Sequence, residues 1–407
     1  MAVRHASFDQ AGMQYVLCVL AAFCAVGTIG HLFSCAAGAA FLFRGRRHRG
    51  VAGFVPPVTV LKPVRGLGEG DEENFRSFFR LDYPEYEILF LVHEDAGEDP
   101  SIPCIRRLIA ENPGVKARIL RTSVRTAVHE KVNNYLEGIE KAAHGVICIT
   151  DADAYVDRDY LRRGVKPLSD PSVGLVTSLQ TMNGFRCAAT AFEGIPQNYD
   201  GLIYFLAAYA VGRMNSIYGH SVIFRKDDFR RVGAEEEIRD HILDDIALGI
   251  AFVIKGGLRV EIAPPVVHTR YPRASWRKVM AHILRWRRFQ RAKTATTIAL
   301  VFYFVTFWGI AAAALSAAVP QKAEVLGLPV RALGLGLGLA AVAVRTSCVL
   351  VSNLVAGDKK SDLRYLWTLF LYDPYAIYTT VASFFINSFE HAGRRFRVVG
   401  NRMRRVG

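Results

Sequence analysis

From Tyr15 to Phe43 the chain has no Asp, Glu, Lys or Arg, a run longer than the ~20 residues that cross a bilayer. A cleaved signal peptide is not expected there. Such peptides place a basic start ahead of an apolar stretch of about 7–15 residues, whereas here the basic cluster Arg44, Arg46, Arg47 and Arg49 follows the run. Paired cysteine spacing is also missing. The seven cysteines (Cys18, Cys24, Cys35, Cys104, Cys148, Cys187 and Cys348) contain no C-x-x-C, so neither a disulfide framework nor a zinc site is expected, and a reducing compartment fits. There is no repeat of solenoid period and no nucleic-acid recognition motif. The 51 Lys+Arg against 37 Asp+Glu leave a net charge of +14, but the densest basic clusters adjoin apolar runs. They read as topology determinants and lipid-headgroup contacts, and no nucleic-acid partner is expected.

What is present is a membrane protein with a water-soluble middle. Apolar residues make up 51% and charged residues 22%, which excludes a disordered chain. The expected division is 1–50 for an N-terminal transmembrane helix and its basic flank, 51–293 for a soluble catalytic domain, and 294–407 for C-terminal membrane segments and a basic tail. In the middle, Val58–Leu61, Ile88–Val92, Val146–Thr150, Val173–Val176 and Val222–Phe224 read as buried strands. Helical patterns fall between several of them, at Glu73–Arg80, Ile102–Asn112 and Val132–Ala143. Strands alternating with helices predict an α/β fold with a mostly parallel sheet. Its chemistry is then expected beyond the carboxyl ends of the strands.

After Lys293 come apolar stretches at Ala295–Val319 and Leu326–Val344, then Tyr365–Ile386, which Asp373-Pro374 interrupts. The basic residues after the first run put Met1 outside and the middle in the cytosol. The arginines of the tail favour the cytosol too, so Tyr365–Ile386 is expected to be re-entrant or interfacial. Gly334, Gly336 and Gly338 are placed to permit close helix packing.

Three local patterns carry chemistry. Asp151-Ala152-Asp153 directly follows the apolar run Val146–Thr150; two carboxylates one residue apart at a strand end suit a divalent cation that neutralises a pyrophosphate. The alternative is a solvated turn. Asp244-Asp245 lies in a helical segment, with His241 four residues before Asp245 and thus on the same helical face. Adjacent carboxylates in apolar surroundings raise each other's pKa and suit a general base; an acidic first helical turn is the alternative. His282-Ile-Leu-Arg285-Trp286 precedes an apolar stretch, where Arg285 suits a phosphate and Trp286 a substrate ring or the headgroup level. A plain interfacial belt accounts for the same residues.

An Asp-x-Asp after a strand, an acidic pair about a hundred residues on, and an x-x-R-W before a membrane segment resemble the inverting family-2-type glycosyltransferases. The resemblance narrows to ceramide glucosyltransferases through Leu61-Lys62-Pro63 with Gly66, the run Phe78-Phe79-Arg80-Leu81-Asp82-Tyr83-Pro84-Glu85-Tyr86-Glu87-Ile88-Leu89, Lys131-Val132-Asn133-Asn134, Arg225-Lys226-Asp227, and Gly393-Arg394-Arg395-Phe396-Arg397. It implies a cytosol-facing GT-A domain on a multi-pass inner-membrane protein. That domain would move a hexose from a UDP-sugar, UDP-glucose foremost, to a lipid hydroxyl, ceramide foremost, with inversion.

In that resemblance Asp153 with Asp151 would hold Mg²⁺ or Mn²⁺, and Asp245 would deprotonate the acceptor. Arg285 and Trp286 would close over the diphosphate and acceptor, while Lys131 and Asn134 would border the nucleotide. Three positions depart from the family pattern. The aspartate near the uridine aligns with Glu94, or with Asp95 after a one-residue shift; Asp244 stands where the family has Glu; and His282 opens the x-x-R-W motif. A histidine there also resembles bacterial hopanoid-lipid glycosyltransferases, which leaves the acceptor open. A processive polysaccharide synthase would call for Q-x-x-R-W and further spans. A non-catalytic membrane scaffold would not call for Asp151, Asp153 and Asp245.

Overall fold

The computed structural model describes residues 5–45, 53–94, 97–212, 214–241, 243–270, 273–290, 304–319, 323–325, 327–356, 364–385, 388–391, 394–399 and 402–405. Asp95, Arg46, Arg47, Arg49, Lys293 and Gly393 lie outside these. The described chain forms two compact units: one of Arg44–Thr190, Val211–Ala274 and Asn387–Gly407, the other of Met1–Phe43, Ala191–Ala210 and Ser275–Ile386.

In the first unit the short apolar runs become strands β1 (Val58–Pro63), β2 (Tyr86–His93), β3 (Lys116–Thr122), β4 (Val146–Thr150), β5 (Ala154–Tyr155), β6 (Val173–Asn183), β7 (Ser221–Arg225) and β8 (Arg259–Arg270). They join in one mixed, mostly parallel sheet ordered β3-β2-β1-β4-β7-β6-β8-β5. β1, β2 and β4 are buried along their whole lengths and pair in parallel, with Val58 opposite both Tyr86 and Val146. Parallel neighbours need crossovers that cover the sheet faces. The helices Asp71–Phe79, Ser101–Glu111 and Glu130–Lys141 lie in those connections.

Phe75, Phe78, Ile88, Phe90, Cys148 and Ile223 belong to the core on this sheet; fully burying each large apolar side chain stabilises by about 1.5–3 kcal/mol. Gly138 lets the helix carrying Lys131 approach β1 and β2, since a Cβ there would stand 2.8 Å from Leu91 and 3.1 Å from Leu61.

Strand direction changes beside β4. β7 runs antiparallel to it, with Ser221 opposite Thr150, and the ladder continues one step further because the Asp151 N–H donates to the His220 carbonyl at 3.2 Å. β6 is antiparallel to β7 and parallel to β8. A three-stranded antiparallel sheet at 388–391, 394–399 and 402–405 belongs to the same unit, and Arg402 makes an isolated antiparallel bridge with His241.

The acidic pair opens a short helix, Asp244–Gly249. His241, expected on the same helical face as Asp245, instead precedes the helix. The pair therefore lies in an N-terminal first turn, where acidic side chains favour the helix dipole. Gly249 ends this helix against the chain at Asn215, whose carbonyl would stand 2.0 Å from an added Cβ. Gly249→Ala is expected to cost about 1–3 kcal/mol through forced backbone movement, measurable as a lower thermal midpoint in detergent. An unchanged midpoint would show that the turn yields freely.

In the second unit Gln14–Phe43 and Val330–Val355 are long and apolar enough to cross a membrane, at mean hydropathy 2.2 and 1.8. Val305–Ala317 is a shorter apolar helix. It packs closely on Val330–Ala356: an added Cβ would meet Ser316 Oγ at 2.0 Å from Gly334 and Ala313 Cβ at 3.2 Å from Gly338, but no atom within 4 Å from Gly336. Asp373-Pro374, expected to interrupt the last segment, does not. One helix runs from Thr368 to Phe385 with Pro374 inside it, and buried Asp373 accepts from buried Arg345 at 3.1 Å. Proline removes one helical hydrogen bond, and the carboxylate is accommodated by its cation. Residues 191–210 and 275–290, placed by the sequence division within 51–293, lie in this unit.

Candidate active site

Both carboxylates of Asp151-Ala152-Asp153 stand at the carboxyl end of β4. The chain leaves the sheet at Thr150 and turns, and Asp151 and Asp153 project from that turn. The antiparallel strand entering next to it brings His220 alongside. One ligand atom each from Asp151, Asp153 and His220 lies within 4.8 Å of the others, a group able to hold a metal ion. Local sequence held no hint of His220, which is distant along the chain and becomes a neighbour only because β7 pairs with β4.

Lys131, in the first turn of its helix, links the two acidic motifs. Its Nζ is 2.7 Å from Asp151 Oδ1 and 3.5 Å from Asp244 Oδ2. Burial opposes the ammonium, but Asp151 and Asp244 outweigh it and push the lysine pKa up. Burial likewise opposes the Asp151 carboxylate, and Lys131 leads the charges that hold it below the usual carboxylate range. Lys131, expected at the nucleotide, is thus seated between the carboxylates. Tyr135, one turn on, donates its hydroxyl to Asp244 Oδ2 at 3.5 Å.

The two residues of the acidic pair diverge. Asp244 faces Lys131 and Tyr135. Asp245 accepts the Ile246 N–H at 2.8 Å and lies beside Gly219, where an added Cβ would stand 3.6 Å from its own Cβ. Gly219-His220 therefore borders both motifs, Gly219 beside Asp245 and His220 beside the Asp151–Asp153 pair.

The other expected residues have partners of their own. Asn134 is buried, and its side-chain oxygen accepts from Thr122 Oγ1 at 2.7 Å, joining its helix to β3. Glu94 follows β2 and pairs with Arg125 at 3.4 Å. His282, Arg285 and Trp286 stand on the helix Trp276–Gln290 of the other unit. There the Trp286 indole N–H donates to His282 Nε2 at 3.0 Å, and His282 Nδ1 contacts the buried carboxylate of Glu193. With Nδ1 bearing the proton, both ring nitrogens are satisfied and the imidazole orientation is set. Glu193 belongs to no motif, and no local pattern marks it.

The sequence comparison gives this α/β sheet, with carboxylates gathered past a central strand, its class: a glycosyltransferase. The sequence model of Glycosyl transferase family 21 matches residues 19–403. The chain belongs to that family, and membership implies a nucleotide-sugar donor.

It is 26% identical over 203 residues to Ceramide glucosyltransferase 1 of Caenorhabditis elegans, a stretch covering 50% of this chain and 43% of that protein. It is 33% identical over 123 residues to the Ceramide glucosyltransferase of Komagataella phaffii, covering 28% and 24%. The chain thus spans less than half the length of these relatives. A mannosyltransferase from Pyrobaculum calidifontis, solved with GDP-Man and Mn²⁺, aligns at 19% identity and a TM-score of 0.48, over 90% of this chain and 99% of that one.

Proposed function

We propose that this enzyme transfers a hexose from a UDP-sugar, UDP-glucose foremost, to the hydroxyl of a membrane lipid, ceramide foremost, with inversion at the anomeric carbon. The observation that carries the reading is the division of acidic groups around Lys131: a cation-type group at Asp151, Asp153 and His220, and a separate pair at Asp244 and Asp245. Inverting transfer needs both, one to receive the diphosphate leaving group and one to take the acceptor proton.

Two carboxylates and an imidazole suit Mg²⁺ or Mn²⁺. Asp153, Asp151 and His220 would hold the cation, which when bound offsets the charge that develops on the departing diphosphate. Lys131 adds a fixed positive charge next to the same group. Asp245 takes the proton from the lipid hydroxyl as the oxygen attacks the anomeric carbon, while Asp244 stays with Lys131 and Tyr135. In the family resemblance, Arg285 and Trp286 would close over the diphosphate and acceptor, and Glu94 would stand near the uridine. The same resemblance, with the basic flank at Arg44, supports an inner-membrane enzyme with its nucleotide-sugar site in the cytosol.

The test is transfer of radiolabel from UDP-glucose in membranes containing the full chain, supplied in turn with ceramide and with a hopanoid. Label in the ceramide product is expected. Label in the hopanoid alone would move the acceptor to the reading favoured by His282, and no labelled lipid from any UDP-hexose would overturn the proposal.

A further inference from the structure

Lys62 is the one charged residue of β1, a strand whose every position is buried. Its side chain has no solvent exposure. A lysine in that situation is rare unless its ammonium is matched by strong acceptors. Here the acceptors come from a single turn: Nζ donates to the Asp151 carbonyl at 2.7 Å, to the Ala154 carbonyl at 3.1 Å and to Thr150 Oγ1 at 3.5 Å. It also stands 4.1 Å from the centre of the Phe78 ring, a geometry favourable to a cation.

All three ammonium protons therefore reach toward the segment that begins with Thr150 and ends with Ala154. That segment carries two carboxylates one residue apart, whose mutual repulsion favours splaying. A cation beneath the turn opposes the splaying electrostatically, and hydrogen bonds to its carbonyls tether the main chain. A methionine of similar length would fill the same space and do neither.

We propose that Lys62 is a positioning residue that ties the Asp151–Ala154 turn to β1 and so holds Asp151 and Asp153 ready for the metal and the donor diphosphate. This rests on the reading of those two aspartates given above. Lys62 touches no substrate; it acts through the turn, as outer-shell partners of metal ligands do.

The experiment is Mn²⁺ titration of UDP binding, with steady-state kinetics, on the full chain in detergent. Lys62→Met is expected to raise the Mn²⁺ needed for half-maximal UDP binding, and the donor KM, by about 10–100-fold. The acceptor KM is expected to stay within about twofold, and kcat at saturating metal and donor within about threefold, because the reacting groups are intact. Lys62→Gln keeps two N–H donors without the charge, and a smaller rise of about threefold is expected. Parent-like constants in Lys62→Met would overturn the proposal; if that variant fails to fold, parent-like constants in Lys62→Gln would do so. Were UDP binding by the parent indifferent to Mn²⁺, the metal reading of the aspartates would fail. The donor KM of the Lys62 variants would then still decide for or against Lys62.

Discussion

Asp153→Ala is expected to abolish sugar transfer while leaving a folded protein. Asp151 is already engaged by Lys131 at 2.7 Å, which holds its carboxyl ionised but turns part of its charge toward an internal partner. On the proposed reading Asp153 is then the carboxylate on which a cation would most depend, with the His220 imidazole completing the group. Truncating it leaves one compensated carboxylate and an imidazole, too little for a hard divalent ion. Losing the cation removes several kcal/mol of stabilisation from the departing diphosphate, so transfer falls by roughly 10³-fold or more. Folding is spared because Asp153 is only partly buried, in a turn outside the sheet. Transfer assays and Mn²⁺-dependent UDP binding, read beside a thermal melt, check this. Full activity of the parent in excess chelator would sink the assignment.

Asp245→Asn should lower kcat by about 10²–10⁴-fold, the usual contribution of a positioned general base. The substitution keeps size and hydrogen bonding but removes basicity. UDP-sugar affinity should change little, because the Asp151–Asp153–His220 group is untouched. Asp244→Asn should be milder. Its carboxylate lies 3.5 Å from Lys131 and accepts from Tyr135 at 3.5 Å, which suits charge support rather than proton transfer. Neighbouring side chains in a helix diverge by about 100°, and the two aspartates do face different partners. Kinetics of both variants settle the roles. An active Asp245→Asn beside an inactive Asp244→Asn would transfer the base to Asp244, and two active variants would remove this helix turn from the mechanism.

The strands that the sequence revealed are those buried on both faces, where an uninterrupted apolar run is the only solution. Val58–Leu61, Ile88–Val92 and Val146–Thr150 each lie within or coincide with β1, β2 and β4. β3 escaped detection because it is the sheet's edge, and Lys116, Arg118 and Arg121 interrupt its apolar residues. β8 was hidden by Pro264-Pro265. Proline cannot donate to a ladder, and the pairing with β6 slips there, from Ser178 opposite Ala263 to Leu179 opposite Val266. Lys62 carried a readable signal, a lone charge in an apolar strand, whose meaning depended on what lay beneath the turn.

Composition and run length by themselves determined the apolar helices, the α/β alternation and the carboxylates at the end of β4. Each follows from local periodicity and the cost of placing charge in an apolar setting. Only the tertiary structure decided that β7 enters antiparallel beside β4 and brings His220 to Asp151, and that Lys131 bridges Asp151 and Asp244. It likewise decided that Lys62 underlies the turn and that Glu193 meets His282. These neighbours are set by which strand edges share hydrogen bonds and how helices pack on them, choices between distant segments that no local pattern encodes.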